Sequence, residues 1–184
     1  MMINSALGII GYPIGHSISP RFQQAGLDYL SVDHRYLPHE VHPDQVADFV
    51  ASLRADAVRG INVTVPHKET VMPFLDEIDE WAAEAGAVNT IVNRGGRLVG
   101  YNTDGYGFLR ALRESAGLDP RWQTRFDPGR GEAHSAGAST LGGISMLVYQ
   151  GAASFELWLE RPAPVSVMMD AAMSAMRERE ALAQ

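Results

Sequence analysis

The segment NVTVPHKE, residues 62–69, closes a β-branched run at a proline and sets a lysine just beyond it. Lys68 falls in the first turn of the helix expected there, where the helix dipole disfavours a cation. A lysine so placed is either a plain surface charge or a functional group with a lowered pKa. Asn62 and Thr64 are two apart on a strand, so they share a face with each other and with Pro66. They can line one wall of a cleft. Upstream, GHSISP sets Ser17 and Ser19 just before a proline-initiated helix. Free backbone N–H groups at that helix start, together with two hydroxyls, would hold a small carboxylate or phosphate. The plainer reading is that Ser19 only caps its own helix. In GYNTDG, Asp104 follows a strand and precedes a helix, so it reads as a cap. Asn102, and Asn89 in AVNT, read equally as turn residues.

A lysine and an aspartate beside one cleft suggest proton transfer to or from a hydroxyl or carbonyl oxygen. Lys68 would be the donor; Asp104 would hold it charged and share a substrate hydroxyl. A Schiff-base lysine is the covalent alternative, but nothing else in the sequence marks an apolar lysine pocket. His34, His39 and His42 offer a metal alternative. The first two lie on opposite faces of a strand region and no carboxylate cluster completes them, so no metal is expected. His16 and His67 read as structural hydrogen-bonders.

These residues need elements to bring them together. Ala6–Gly11 reads as a buried strand stopped at Gly-Tyr-Pro. A helix over 20–30 follows, opened by Ser19-Pro20, and then a strand over 33–38. Pro43 opens a helix to 55, with Val46, Phe49, Val50 and Leu53 on one face. A strand over 60–66 precedes helical segments at 67–76 and 78–86. AVNTIVNRGGRLVGYNTDG reads as a hairpin about Gly95-Gly96. Thr103 or Asp104 caps a helix over 105–116. After Gly117 the pattern lapses. It returns as a helix from Ser145 to Leu159, RPAP breaks it, and a last helix runs over 164–182. The methionine-rich stripe of that helix, Val165, Val167, Met168, Ala172, Met173 and Met176, reads as core packing rather than a groove. The fold class is α/β: a mixed, mostly parallel sheet flanked by helices, with an antiparallel strand near one side. In such sheets ligands bind beyond the carboxyl ends of the parallel strands. Ser17, Ser19, Asn62, Thr64, Lys68, Asn102 and Asp104 all fall there.

Composition narrows the function. The chain has 184 residues, enough for one well-packed domain, and is 46% hydrophobic and 20% charged, as globular chains are. Its formal charge of −7 argues against nucleic-acid and anionic-membrane partners. It has no cysteine, so disulfides, thiol nucleophiles and thiolate metal sites are excluded, in keeping with a cytoplasmic setting. Its N-terminus lacks a signal-peptide pattern, and no apolar run reaches the roughly 18–20 residues that span a bilayer.

Five motifs in order, GYPIGHSISP, INVTVPHKE, AGAVNTIV, GYNTDGYGF and MLVYQGAASFELW, resemble shikimate dehydrogenase. The resemblance covers about residues 6–117 and 144–170. It implies NADPH-dependent reduction of 3-dehydroshikimate to shikimate, in aromatic amino-acid biosynthesis. It implies that Ser17 and Ser19 bind the substrate carboxylate, that Asn62, Thr64, Asn89 and Gln150 bind ring hydroxyls, and that Lys68 and Asp104 are the catalytic pair.

The resemblance also implies an NADP-binding Rossmann domain between the NTDG helix and the MLV-Q helix. Only 119–141, 23 residues, stand in that place. A βαβ unit needs about 30 or more, and no G-x-G-x-x-G follows a strand. In place of the family's Asp-Gly-Leu-Gly the chain has Gly142-Gly143-Ile144-Ser145. The expected organisation is a substrate-binding domain over 1–118, a loop over 119–143 replacing the nucleotide domain, and C-terminal helices over 144–184 that pack back on the first domain. Such a loop closes at modest entropic cost. The expectation is a chain that binds shikimate or 3-dehydroshikimate with impaired turnover, or a non-catalytic sensor of such acids. NADP(H) is the family's cofactor without an evident dock here. A homodimer would cover the surface the deletion exposes.

Overall fold

The computed structural model describes residues 6–116 and 143–182. Six strands form one sheet: β1 (Leu7–Gly11), β2 (Tyr36–Glu40), β3 (Gly60–Val63), β4 (Glu77–Ile78), β5 (Thr90–Arg94) and β6 (Arg97–Tyr101). Their order is β2-β1-β3-β5-β6-β4. β1 pairs in parallel with β2 and β3, and β4 with β6, while β5 is antiparallel to both its neighbours. The reversed strand therefore lies inside the sheet, not at an edge. β5 and β6 form the expected hairpin, turning at Gly95 and Gly96, both with positive φ (61° and 89°). A two-residue turn of that kind demands such angles, which glycine adopts without a Cβ clash.

The helices are α1 (Ser19–Tyr29), α2 (Val46–Ser52), α3 (Glu80–Ala85), α4 (Asp104–Ala116), α5 (Gly143–Leu159) and α6 (Val165–Leu182). Both faces of the sheet are covered, which is why LGIIG is buried throughout and shows no alternation. Ile10, Ile61, Val63 and Ile91 pack on one face against Val46, Phe49 and Val50 of α2. Leu7, Ile9 and Val92 pack on the other against Phe22 of α1, Val148, Phe155 and Trp158 of α5, and Met168 of α6. The indole Nε1 of Trp158 donates to the Ile91 carbonyl at 3.0 Å, tying α5 to the sheet. α5 and α6 thus pack on the sheet and α1.

Several expectations change. Residues 67–76 form turns and a 3-10 segment at Met72–Phe74, not an α-helix. Pro73 lacks the N–H a continuing helix needs. The helix expected from Pro43 begins as a 3-10 turn, and its α-helical part is Val46–Ser52. The second strand sits later, at Tyr36–Glu40. Ser19 is not the cap of α1: Ile18 holds that position, with no side-chain cap bond. The methionine stripe of α6 is divided, with Met168 buried, Met173 exposed and Met176 facing a cavity. The loop expected over 119–143 lies outside the described residues except for Gly143, which begins α5.

Candidate active site

β1 and β3 end at the same edge of the sheet. β5 runs the other way, so it begins there, and β6 ends there again. Four stretches of chain meet at this edge: 12–19 after β1, 64–68 after β3, Asn89 before β5 and 102–104 after β6. α5 crosses above them. The result is a cavity of about 510 Å³. Ser17, Ser19, Asn62, Thr64, Lys68, Asn89, Asp104 and Gln150 all line it.

Lys68 Nζ lies 2.6 Å from Asp104 Oδ2, and both side chains are about one-third exposed. Asn89 donates from Nδ2 to the other carboxylate oxygen, Oδ1, at 2.9 Å. The orientation of that amide is fixed by its far side, where Asn89 Oδ1 accepts the Thr103 backbone N–H at 2.9 Å. Gln150 joins through Oε1, 3.3 Å from Asn89 Nδ2, while its own Nε2 donates to the Leu147 carbonyl at 2.8 Å. Asp104 is thus a carboxylate between a cation and an amide donor. Lys68 keeps donors beyond the one it gives Asp104. That is an arrangement able to hand a proton to an oxygen placed beside it.

Beneath the cavity lies a buried polar network. Asn62 accepts the Tyr36 hydroxyl at 2.7 Å on Oδ1. Its Nδ2 faces the Asn89 carbonyl (3.2 Å), Thr90 Oγ1 (3.1 Å) and Ser154 Oγ (2.9 Å). Thr103 Oγ1 reaches the Gln150 carbonyl at 3.0 Å. Burial pushes the Tyr36 phenol well above its ordinary pKa, so it stays a donor. Sequence reasoning missed Tyr36, Thr90, Thr103 as a network member, and Ser154. Ser154 had a signal: it sits one helical turn after Gln150, on the same face.

Other residues part from their sequence readings. Lys68 stands in a turn, so the argument from a helix dipole does not apply to it. Asn102 is a turn residue: it accepts the Asp104 N–H at 3.0 Å and donates to the Ala87 carbonyl at 2.9 Å. Asp104 is the first helical residue of α4, but its carboxylate faces Lys68 and Asn89. Two of the backbone N–H groups expected at the start of α1 are already engaged. Ser19 N donates to Ser17 Oγ at 3.2 Å, Arg21 N donates to the Ile18 carbonyl at 3.0 Å, and Pro20 has none. His16, Met176 and Arg179 also line the cavity and were not anticipated there. His67 is fully buried, with Nε2 2.7 Å from the Val41 carbonyl. No cluster of three His, Cys, Asp or Glu able to hold a metal occurs among the described residues. No helix among them is long and apolar enough to cross a membrane.

Residues 9–91 match the shikimate dehydrogenase substrate-binding domain, and residues 143–173 match the shikimate 5'-dehydrogenase C-terminal domain. The chain belongs to the shikimate dehydrogenase family. It is 47% identical over 134 residues to the shikimate dehydrogenase (NADP(+)) of Desulforamulus reducens, covering 73% of this chain and 46% of that one. It is 50% identical over 111 residues to that of Geobacillus kaustophilus, covering 60% and 40%. The chain spans about half the length of the curated relatives it matches. The shikimate dehydrogenase fold is seen in the structure of the Thermus thermophilus enzyme in complex with NADP(H) and shikimate. The TM-score is 0.80 at 23% identity, with 92% of this chain and 98% of that one covered. The enzyme from Aquifex aeolicus gives a TM-score of 0.77 at 27% identity, covering 92% and 99%. In this shikimate dehydrogenase-family chain, the two matched segments flank the stretch outside the described residues.

Proposed function

We propose that this chain binds shikimate and 3-dehydroshikimate in the cavity at the sheet edge. The observation that carries the reading is the Lys68–Asp104 pair, held by Asn89 and ringed by hydroxyls and amides in one cavity. Ser17 and Ser19 hold the carboxylate. Thr64, Asn89, Asn62 and Gln150 meet the ring hydroxyls, Asn62 chiefly by fixing the floor, since its polar atoms already have partners. Lys68 is placed to give a proton to a carbonyl oxygen of the substrate, and Asp104, at 2.6 Å, positions Lys68 and accepts the neighbouring hydroxyl.

NADP(H) is the relatives' cofactor and supplies hydride in their reaction. We read the starts of α1 and α4 as poor docks for a dinucleotide. The Ser19 and Arg21 N–H groups of α1 are engaged and Pro20 has none, and α4 opens on the Asp104 carboxylate, which opposes a pyrophosphate. The 23 residues over 119–141 are also fewer than a βαβ unit needs. We therefore read the chain as a substrate-binding member of the family with impaired turnover of its own. A non-catalytic sensor of shikimate-like acids rests on the same cavity. Self-association belongs to the same proposal, since Tyr106 and Leu109 stand exposed on α4, and light scattering of the purified chain reads it.

Calorimetric titration with shikimate, and separately with NADP(+), tests the reading. Shikimate binding without NADP(+) binding is expected, and NADPH oxidation with 3-dehydroshikimate should stay near background. An ordinary enzymatic rate would overturn the impaired-turnover reading. Failure to bind shikimate would overturn the whole proposal.

A further inference from the structure

We infer that Arg179, near the end of α6, is a direct anion-binding residue of this cavity and supplies its net positive charge. The inference rests on the reading that the cavity takes a carboxylate acid. Three lining residues carry a formal charge at neutral pH: Lys68, Asp104 and Arg179. The first two are paired at 2.6 Å and cancel. Arg179 has no carboxylate partner among the described residues. It donates one hydrogen bond, from Nη1 to the His16 carbonyl at 3.0 Å. That contact anchors the guanidinium on the same segment that carries Ser17 and Ser19. The adjacent acid, Glu178, does not neutralise it, because Glu178 is paired with Arg21 at 3.0 Å.

The need for this cation follows from the helix start beside it. With the N–H groups of Ser19 and Arg21 engaged and Pro20 lacking one, α1 offers an incoming carboxylate little backbone donation. The hydroxyls remain. Ser17 Oγ accepts from Ser19 N, so its own proton is free to donate. The Ser19 hydroxyl has no partner among the described residues. Two neutral hydroxyls are modest anchors for a full negative charge in a protein whose formal charge is −7. A guanidinium with four donors left over supplies both charge and paired geometry. The helix dipole accounts for a basic residue in the last turn of α6, where Arg179 lies. It does not account for Arg179 lining the cavity and holding the His16 carbonyl.

The test compares shikimate with its primary carboxamide, which keeps the shape and removes the charge. Both are titrated calorimetrically into the full chain, wild type, Arg179→Met and Arg179→Lys. Arg179→Met should weaken shikimate about tenfold and the carboxamide less than about twofold. Arg179→Lys should recover part of the loss. Equal weakening of both ligands would reduce Arg179 to a clamp on the His16 carbonyl and overturn the inference. So would unchanged shikimate affinity in Arg179→Met. If the wild type binds neither ligand, the carboxylate-acid reading itself fails and the inference falls with it. Wild-type binding that is insensitive to Arg179 sinks only the inference.

Discussion

Lys68 and Asp104, 36 residues apart in the chain, meet at 2.6 Å because one strand of the sheet runs backwards. β3 delivers Lys68 to the cavity edge. Reversed β5 then carries the chain away from that edge, and β6 brings it back to Asp104. The pair is partly exposed, so it contributes little to stability, on the order of 1 kcal/mol or less. Its weight should fall on the ligand. Lys68→Ala is expected to lower shikimate affinity about tenfold or more while shifting the melting temperature by only a few degrees. Calorimetry and a thermal melt on the same preparation separate the two. A large melting shift with intact affinity would make the pair structural.

The buried network beneath behaves in the opposite way. Asn62 is 5% exposed, and its amide serves Tyr36, Thr90, Ser154 and the Asn89 carbonyl. Asn62→Ala strands several of these groups and should cost about 2–4 kcal/mol. Tyr36→Phe leaves Asn62 Oδ1 without its donor and should cost about 1–3 kcal/mol. Because the two share one bond, the double variant should fall short of the sum by about 1 kcal/mol in urea unfolding. Strict additivity would mean that the Tyr36–Asn62 bond contributes nothing.

The site was legible where a residue was odd for its place. Lys68 after Val-Pro-His, two serines before a proline, and Asn-Thr-Asp at a strand end are local anomalies, and Lys68, Ser17, Ser19 and Asp104 from them line the cavity. The network was not legible, because the Tyr36–Asn62 and Asn62–Ser154 contacts depend on strand order and on where α5 crosses. Neither is a local property. Arg179 was hidden for another reason: within Arg-Glu-Arg-Glu it reads as an ordinary solvated face. The error at 67–76 has a plain cause. His-Lys-Glu-Thr reads as a helix start, but Pro73 follows too soon for a second turn.

Acid should act through Asp76. Its carboxylate accepts from both terminal nitrogens of Arg54 and from the Leu98 N–H at 2.7 Å. The Arg54 hydrogen bond, before all other causes, holds its pKa below the ordinary value. A carboxyl whose folded pKa is depressed binds its proton more readily when unfolded. Its stabilisation is therefore complete above the unfolded value of about 3.9 and is lost as pH falls through the folded one. Wild type should lose melting temperature more steeply than Asp76→Asn between about pH 4 and pH 2. Parallel curves would show that Asp76 titrates alike in both states.

Gly107 on α4 controls how closely α5 approaches, and through it where Gln150 sits. A Cβ added at Gly107 would lie 2.7 Å from both Gln150 Cβ and Gln150 N, and 2.9 Å from the Met146 carbonyl. These are atoms at or in the backbone of α5, so no rotamer change relieves the clash and the helix itself must move. Gly107→Ala should cost about 1–3 kcal/mol. It should also weaken shikimate by about tenfold, since a shift approaching 1 Å at Gln150 misplaces the contact proposed for it. Gly105→Ala is the control. It lies on the same helix with nothing within 4 Å of the added Cβ, so the methyl should be neutral or stabilise by up to about 1 kcal/mol. Unfolding curves and shikimate titrations of the two variants decide the matter. If Gly107→Ala binds shikimate as Gly105→Ala does, the α4–α5 contact sets the packing of the helices but not the position of Gln150 in the site.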